Sequence, residues 1–382
     1  MPNHSDKPSQ SPGARAPMRV PFLDLGAQYR SIREDIDAAI AETIRTSRFI
    51  IGAEETKFER AFADSQRAPY AVGCSCGTSA IYMALLALGI PRGAEVLVPT
   101  MTYIATAEAV TFAGARPVFI DVEAETGLID LASMQRAVTS KTWGIVPVHL
   151  YGQMVEMPRL MSLAQERGLR VVEDAAQAHA AECHGQRPGS LSDAATFSFF
   201  PGKNLGAYGD AGAVVAKDQA LATWLRQFRN HGRLDKYKHE FVGFNFRLDG
   251  LQAAILQAKL PHLEDWTERR RAIASRYRAA LGSAGVRCLV ERPYNRHVYH
   301  LFVIRHPERD RLRKALQEQG IETGVHYPIP LHLQPAYEKE GLKPGSLPES
   351  EALAREGLSL PIDPMMSDEQ VDYVIHQVCA HA

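Results

Sequence analysis

Neither sign of charge dominates this chain. Its 382 residues set 43 Lys and Arg against 44 Asp and Glu, a formal net charge of −1. No basic excess marks a nucleic-acid partner, and no sustained basic helix marks a membrane surface. Long apolar runs are missing as well. The longest, at 80–90, is too short to span a bilayer. Residues 1–17 are polar and rich in Pro and Ser, lack the apolar centre of a secretory signal, and read as a disordered tail. Cysteine is scarce: the five present form no paired spacing, which argues against a disulfide framework and for a reducing compartment, the cytoplasm. Cys74-Ser75-Cys76 is not a C-x-x-C motif and reads as small core or loop residues. His297, His300, His326 and His332 lie near one another in sequence, yet form neither H-E-x-x-H nor a Cys/His cluster, so no metal is expected. No internal repeat is visible.

What remains is an ordinary globular composition, 45% hydrophobic, long enough for two domains. Ile32, Ile36, Ile40 and Ile44 recur every four residues and predict a helix over 32–46. A second helix is expected at 56–65. From residue 71 strands and helices alternate: strands at 71–74, 95–98, 116–120, 143–148 and 169–172, helices at 79–88, 104–113, 134–137 and 157–167. Such alternation predicts an α/β fold with a mainly parallel sheet covered by helices on both faces. Helices are expected at 221–228, 248–260 and 263–281. The last, rich in Arg, leads into a smaller C-terminal α+β domain with a strand at 300–304, a helix at 309–319, a Pro-rich loop at 327–335 and a terminal helix at 368–379. The expected division is a tail at 1–17, a large domain at 18–262 and a small one at 263–382.

One segment carries the chemistry. The apolar run from Ala195 to Phe200 ends at Pro201-Gly202 and delivers Lys203 into a glycine-rich loop before the next strand. Lysines are seldom buried, and a lone loop lysine is solvated and inert in most proteins. A lysine at a buried strand end is different: desolvation lowers its pKa and makes the neutral, nucleophilic amine accessible. A Schiff-base lysine needs this. Upstream, Asp174 follows the strand at 169–172, at the edge where open α/β sheets bind ligands. Alone it would read as a helix cap. Together with Lys203 it reads as the partner of a protonated pyridine nitrogen. Gln177, three residues on, falls near the same edge, where its amide could hold a ring's phenolic oxygen. Gly77-Thr78-Ser79-Ala80 follows a strand and opens a helix, which suits a phosphate and equally suits simple capping by Thr78 or Ser79. The glycines at 206, 209 and 212 have G-x-x-G-x-x-G spacing and precede a strand, which defeats a dinucleotide reading.

The ordered set Cys76-Gly77-Thr78-Ser79-Ala80, Glu173-Asp174-Ala175-Ala176-Gln177-Ala178-His179, Ser198-Phe199 to Lys203, and Gly243-Phe244-Asn245-Phe246-Arg247 resembles the DegT/DnrJ/StrS family of pyridoxal-phosphate sugar aminotransferases. The likeness runs from Pro21-Phe22-Leu23-Asp24-Leu25 to Leu358-Ser359-Leu360-Pro361, and Met18 is a candidate natural start. The resemblance implies a fold-type-I enzyme with pyridoxal 5'-phosphate held on Lys203, its ring nitrogen on Asp174 and its oxygen on Gln177. It implies phosphate contacts from Thr78, Ser79 and Ser198, an aromatic stack from Tyr103, and Asn245 reaching the phosphate of a second subunit in a homodimer. Glutamate would be the donor and a keto sugar nucleotide the acceptor. His326-Tyr327-Pro328-Ile329-Pro330-Leu331-His332 resembles the substrate loop of members that aminate C-3 of nucleotide-linked 6-deoxyhexoses, with Tyr237 and His239 as further sugar contacts. A dTDP-linked 3-keto-6-deoxyhexose is therefore expected, with a UDP-linked 3-keto sugar or a 4-keto sugar nucleotide as alternatives. Phe200 departs from the tyrosine that some relatives carry. Family dehydratases with histidine in place of the lysine are opposed by Lys203. A non-enzymatic regulator would not need the lysine, the carboxylate and the phosphate groups together.

Overall fold

The structure, a computed structural model, describes residues 18–382. The tail expected at 1–17 lies outside them. Eight strands precede the long arginine-rich helix: β1 Tyr70–Cys74, β2 Glu95–Pro99, β3 Arg116–Ile120, β4 Thr142–Ile145, β5 Arg170–Asp174, β6 Glu182–Cys183, β7 Ala194–Ser198 and β8 Gly212–Ala216. Seven of them form the central sheet in the order β1-β8-β7-β5-β4-β2-β3. Six run parallel; β8 is antiparallel to both of its neighbours. The chain meets the expectation of a mainly parallel α/β fold. Every residue of β2 and of β8 is buried, as the helix-covered faces of such a sheet require. Their sequences, Glu-Val-Leu-Val-Pro and Gly-Ala-Val-Val-Ala, are accordingly apolar runs rather than alternating ones.

Local chemistry fixes the helices. Asp218 caps the helix Gln219–Phe228 by accepting from Leu221 N, and Ser367 forms a capping box on Asp368–His381. The isoleucine stripe of Arg33–Thr46 is only half a core face. Ile32 and Ile36 are buried, whereas Ile44 is 57% exposed. Under the site lies an aromatic knot. Phe58 and Phe62, four apart on the helix Ala53–Ser65, meet Phe197 and Phe199, two apart on β7 and its extension. The Phe62 ring stands edge-on at 5.0 Å from both Phe197 and Phe199. This knot holds one face of β7, so Ser198 emerges on the other.

A second core lies C-terminal. β11 Phe302–Arg305 pairs with β9 Arg287–Cys288 and β12 Gly357–Leu360, under the helices Leu263–Ser283, Arg309–Glu318 and Asp368–His381; β10 Asn295–Arg296 instead pairs with β6. The expected boundary at 262/263 is crossed in both directions. Val20, from the N-terminal side, is buried in the small core and bridges to Ile321. Leu331, Tyr337 and Leu347 join a core of the large domain. The helix Pro348–Glu356 and β12 are elements the sequence reading missed, although Pro348 at the first helical position with Glu349 and Glu351 in the first turn is a start signal. No helix of the described residues is long and apolar enough to cross a membrane.

Candidate active site

The carboxyl ends of β1, β2, β5 and β7 share one edge of the sheet, and four segments leave from it: Ser75–Gly77, Thr100–Thr106, Asp174–Gln177 and Ser198–Lys203. Strand register makes them converge. Gly212, the first residue of β8, pairs with both Cys74 and Ser198. A Cβ on Gly212 would lie 2.4 Å from the Cys76 carbonyl oxygen, so only glycine lets the Cys76–Gly77 turn pass.

Lys203 sits in a tight turn. Its N–H donates to the Phe200 carbonyl at 2.8 Å, and Ala207 N donates back to Phe199 O at 2.8 Å. The side chain is half-buried. Burial pushes the Lys203 ammonium down to about 8, while the charge of Asp174 pulls the other way. Asp174, the last residue of β5, is buried. Thr106 Oγ1 donates to its Oδ2 at 2.7 Å and Ala176 N to its Oδ1 at 3.1 Å. Among the described residues no cation pairs with it. A buried carboxylate held by two neutral donors, in the field of a desolvated amine, has room for one more positive partner. A protonated pyridine nitrogen fits that requirement.

The neighbouring residues meet the expectations unevenly. Gln177 Oε1 accepts from Tyr151 N at 2.6 Å and its Nε2 donates to Tyr327 Oη at 3.2 Å, which leaves one amide hydrogen for a ring oxygen. Tyr103 is 58% exposed, its ring 5.9 Å from that of Tyr327, and so presents an open aromatic face. At the N-terminus of helix Gly77–Ala87, a Cβ on Gly77 would strike Ser198 Cβ at 2.8 Å, so the two segments are in contact. No acidic residue lies in that first turn, which suits an anion. Thr78 and Ser198 each keep a hydroxyl hydrogen to donate. Ser79 does not: its Oγ donates to Cys76 O at 2.8 Å and accepts from Cys76 N at 3.1 Å. Capping, the plainer alternative for Ser79, occupies both its side chain and its N–H, which donates to Cys76 Sγ at 3.4 Å, and leaves the N–H groups of Gly77 and Thr78 for a phosphate.

The loop at 326–332 divides. His326 stacks on Phe22 with ring centroids 5.7 Å apart and meets Ser359 Oγ through Nδ1 at 2.8 Å. Burial and the charge of Lys203 bring its pKa down to about 4, so it faces the lysine as a neutral imidazole. His332 is the exception. It is buried, with Nδ1 2.8 Å from Thr100 Oγ1 and Nε2 3.2 Å from Glu351 Oε1. With both nitrogens engaged it acts as a strut between β2 and the C-terminal segment, and the expected role in binding sugar is corrected. Tyr237 is 81% exposed and His239 is exposed, with Nδ1 on His231 O at 2.9 Å; within one chain neither touches the Lys203 group. Asn245 is likewise exposed, on a segment bridged to Asn230.

Several site residues escaped the sequence reading. Thr106 had a signal, since Thr102 and Thr106 stand four apart where a helix opens after β2, and their hydroxyls are 3.0 Å apart. Asn204 next to Lys203 joins His300 Nδ1 at 3.2 Å and donates to Val298 O at 2.9 Å. His179, enclosed by Phe62, Phe197 and Phe199, is taken down to about 3 by burial and then by Lys203. His300 is held well below its usual value for the same reasons. Three imidazoles within the electrostatic reach of the lysine are thus held neutral and add no like charge beside it.

This arrangement can hold a phosphorylated pyridine aldehyde, and comparison with known proteins agrees. Residues 30–379 match the model of the DegT/DnrJ/EryC1/StrS aminotransferase family. The chain belongs to that family. Similar proteins include the pleiotropic regulatory protein of Geobacillus stearothermophilus, 47% identical over 94% of this chain and 98% of the relative. Another is the dTDP-3-amino-3,4,6-trideoxy-alpha-D-glucose transaminase of Streptomyces venezuelae, 46% identical over 94% and 95%. Among solved structures, S. venezuelae DesV in complex with a ketimine intermediate superposes with a TM-score of 0.93 at 46% identity, covering 95% of this chain and 98% of that one. Family members are solved with pyridoxal phosphate or its aminated form. This aminotransferase is a pyridoxal-phosphate-dependent enzyme of fold-type-I architecture. Among its described residues no group of three His, Cys, Asp or Glu side chains is placed to hold a metal ion.

The lowered pKa of Lys203 has a direct readout. In cofactor-free protein, amine acylation followed peptide by peptide should give Lys203 a midpoint near pH 8, because the amine is protonated below and free above about 8. A midpoint near the ordinary 10.5 would mean that the amine is solvated.

Proposed function

We propose that this enzyme moves the amino group of glutamate to C-3 of a dTDP-linked 3-keto-6-deoxyhexose. The single observation that carries the reading is the half-buried Lys203 amine within the electrostatic reach of the buried, cation-free carboxylate of Asp174. Pyridoxal phosphate, when bound, supplies a carbonyl that takes up amines and a protonated ring that delocalises the electrons left at the donor carbon. Lys203 would hold that group covalently between turnovers. Freed from the group by the donor, its Nζ would carry the proton of the donor's Cα to the group's carbonyl carbon, and in the second half-reaction would carry a proton from that carbon to C-3 of the sugar. Asp174, oriented by Thr106 and Ala176, would pair with the ring N–H. Thr78, Ser198 and the N–H groups of Gly77 and Thr78 would take the phosphate, Gln177 the ring oxygen, and Tyr103 the ring face.

The substrate reading rests on the wording of the loop at 326–332 and on the transaminase relative acting on a 3-amino sugar nucleotide. His326 and Tyr327 are the loop residues available to the sugar. A UDP-linked 3-keto sugar is the next candidate. One similar protein bears a regulatory name, yet a regulator has no use for the combined lysine, carboxylate and phosphate cradle kept here. All five cysteines are free, in keeping with a cytoplasmic enzyme.

We further infer a homodimer with shared sites. Phe112, Phe200, Val242 and Phe244 are large apolar side chains left exposed on one chain, at 68%, 57%, 91% and 43%. Exposed Tyr237, His239 and Asn245 would then complete the neighbour's site.

Two experiments test these readings. His326→Ala should lower the specificity constant for the keto sugar roughly ten- to a hundredfold, equivalent to about 1–3 kcal/mol. The half-reaction with glutamate should stay close to wild type, and NMR of the product should locate the amine at C-3. An amine at C-4, or an equal loss in both half-reactions, removes the substrate assignment. Mixing inactive Lys203→Ala with inactive Asn245→Ala should restore activity through heterodimers with one intact site. No gain on mixing, with a fully active monomer in sedimentation, removes the shared-site reading.

A further inference from the structure

A second lysine, fully buried, reaches the loop that carries Lys203. Lys259, the last residue of helix Gly250–Lys259, is 0% exposed. Among the described residues no carboxylate pairs with it, and burial alone drives its pKa down to about 8. A buried ammonium without a counter-ion is an expensive thing to keep. Its two partners are unusual. Nζ donates to the Gly206 carbonyl at 2.8 Å and stands 4.2 Å over the ring of Tyr208. Both belong to the loop that carries Lys203.

The same helix grips that loop a second time. Gln252 Oε1 accepts from Tyr208 N at 2.8 Å. Positions 252 and 259 are seven apart, two turns of helix, and share a face. The loop itself is short of alternatives. A Cβ on Gly206 would lie 2.3 Å from the Pro201 carbonyl oxygen, so Gly206 is pressed against the start of the turn whose centre is Lys203. Fixing Gly206 O therefore fixes the far side of that turn. The aromatic knot holds the near side through Phe199, and helix Gly250–Lys259 holds the rest.

We propose that Lys259 is a positioning residue for Lys203, and that with Gln252 it forms a two-point clamp on the turn that carries the cofactor lysine. The proposal rests on the assignment of Lys203 as that lysine. Its ammonium serves as a short, strong donor to one carbonyl and takes no part in proton transfer to substrate. The clamp fixes the backbone of the turn from which the Lys203 side chain springs.

Hydrogen exchange on the cofactor-free protein tests the clamp whichever lysine takes the cofactor. The reporters are the amides of Phe199, Lys203, Ala207 and Tyr208, all hydrogen-bonded in this turn. Lys259→Met should speed exchange of the peptide spanning 199–211 by about tenfold or more, leaving the peptide of Gly77–Ala87 unchanged. Ile255→Val loosens the same helix at a buried position that makes no hydrogen bond to the turn, although Tyr208 packs against its cluster, and should speed the 199–211 peptide far less than Lys259→Met does. In the loaded enzyme Lys259→Met should lower kcat of both half-reactions together while KM for the sugar stays within about twofold, because Lys203 serves both. Should Lys259→Met fail to fold, Gln252→Leu gives the same exchange readout with the buried ammonium retained. Unchanged exchange in the clamp variants, or an equal rise in Ile255→Val, overturns the proposal.

Discussion

The desolvation of Lys203 opposite Asp174 is the interaction on which the other features of the site depend. An amine at its ordinary pKa is protonated at neutral pH and attacks no carbonyl. Moving it from 10.5 to about 8 corresponds to about 3 kcal/mol of disfavoured charge. The sign of this term is set by the lowered pKa. Below pH 8 the amine is charged in both folded and unfolded chains and the folded protein bears the full penalty. Between 8 and 10.5 the penalty fades as the folded amine loses its proton. The fold therefore gives up stability to hold an uncompensated amine, and the buried rings of Phe58, Phe62, Phe197 and Phe199 are part of the apolar core that offsets it.

The environment is polarised by omission. His179, His300 and His326 are held neutral around the lysine, and no carboxylate other than Asp174 figures among the groups that shift its pKa. An added carboxylate would stabilise the ammonium and undo the effect of burial. Glu173, the residue before Asp174, illustrates how this is managed. Its carboxylate is buried on the opposite side of β5, where His149, Gly189 N and Ser192 satisfy it. Strand alternation sends adjacent acidic side chains to opposite faces, one to the core network and one to the site.

Much of this was legible in the sequence because it lies in short stretches with a single local meaning. Alternating apolar runs and helical periods predicted the sheet and nearly every helix to within a few residues. Asp174, Gln177, Ser198 and Lys203 sit at strand ends, where position along the chain already says which edge of the sheet they reach. The unread parts depend on contacts between distant segments. His332 looks like a binding residue in a Pro-rich loop until Thr100, 232 positions away, takes its ring. Lys259 looks like a solvated lysine closing a helix until the Gly206 carbonyl arrives from 53 positions upstream. Val20 gave no sign that the start of the chain is built into the C-terminal core. The exposed Tyr237, His239 and Asn245 are a further class, because within one chain they stand apart from the Lys203 group.

The most direct measurement is chemical. The purified protein, loaded with pyridoxal phosphate, is reduced with borohydride and mapped by peptide mass spectrometry. The label should appear on Lys203 alone, although Lys259 is also buried and has a similarly lowered pKa of about 8. That outcome would show that proximity to Asp174, and not burial alone, selects the reacting amine. A label on Lys259 or on any other lysine would contradict the account.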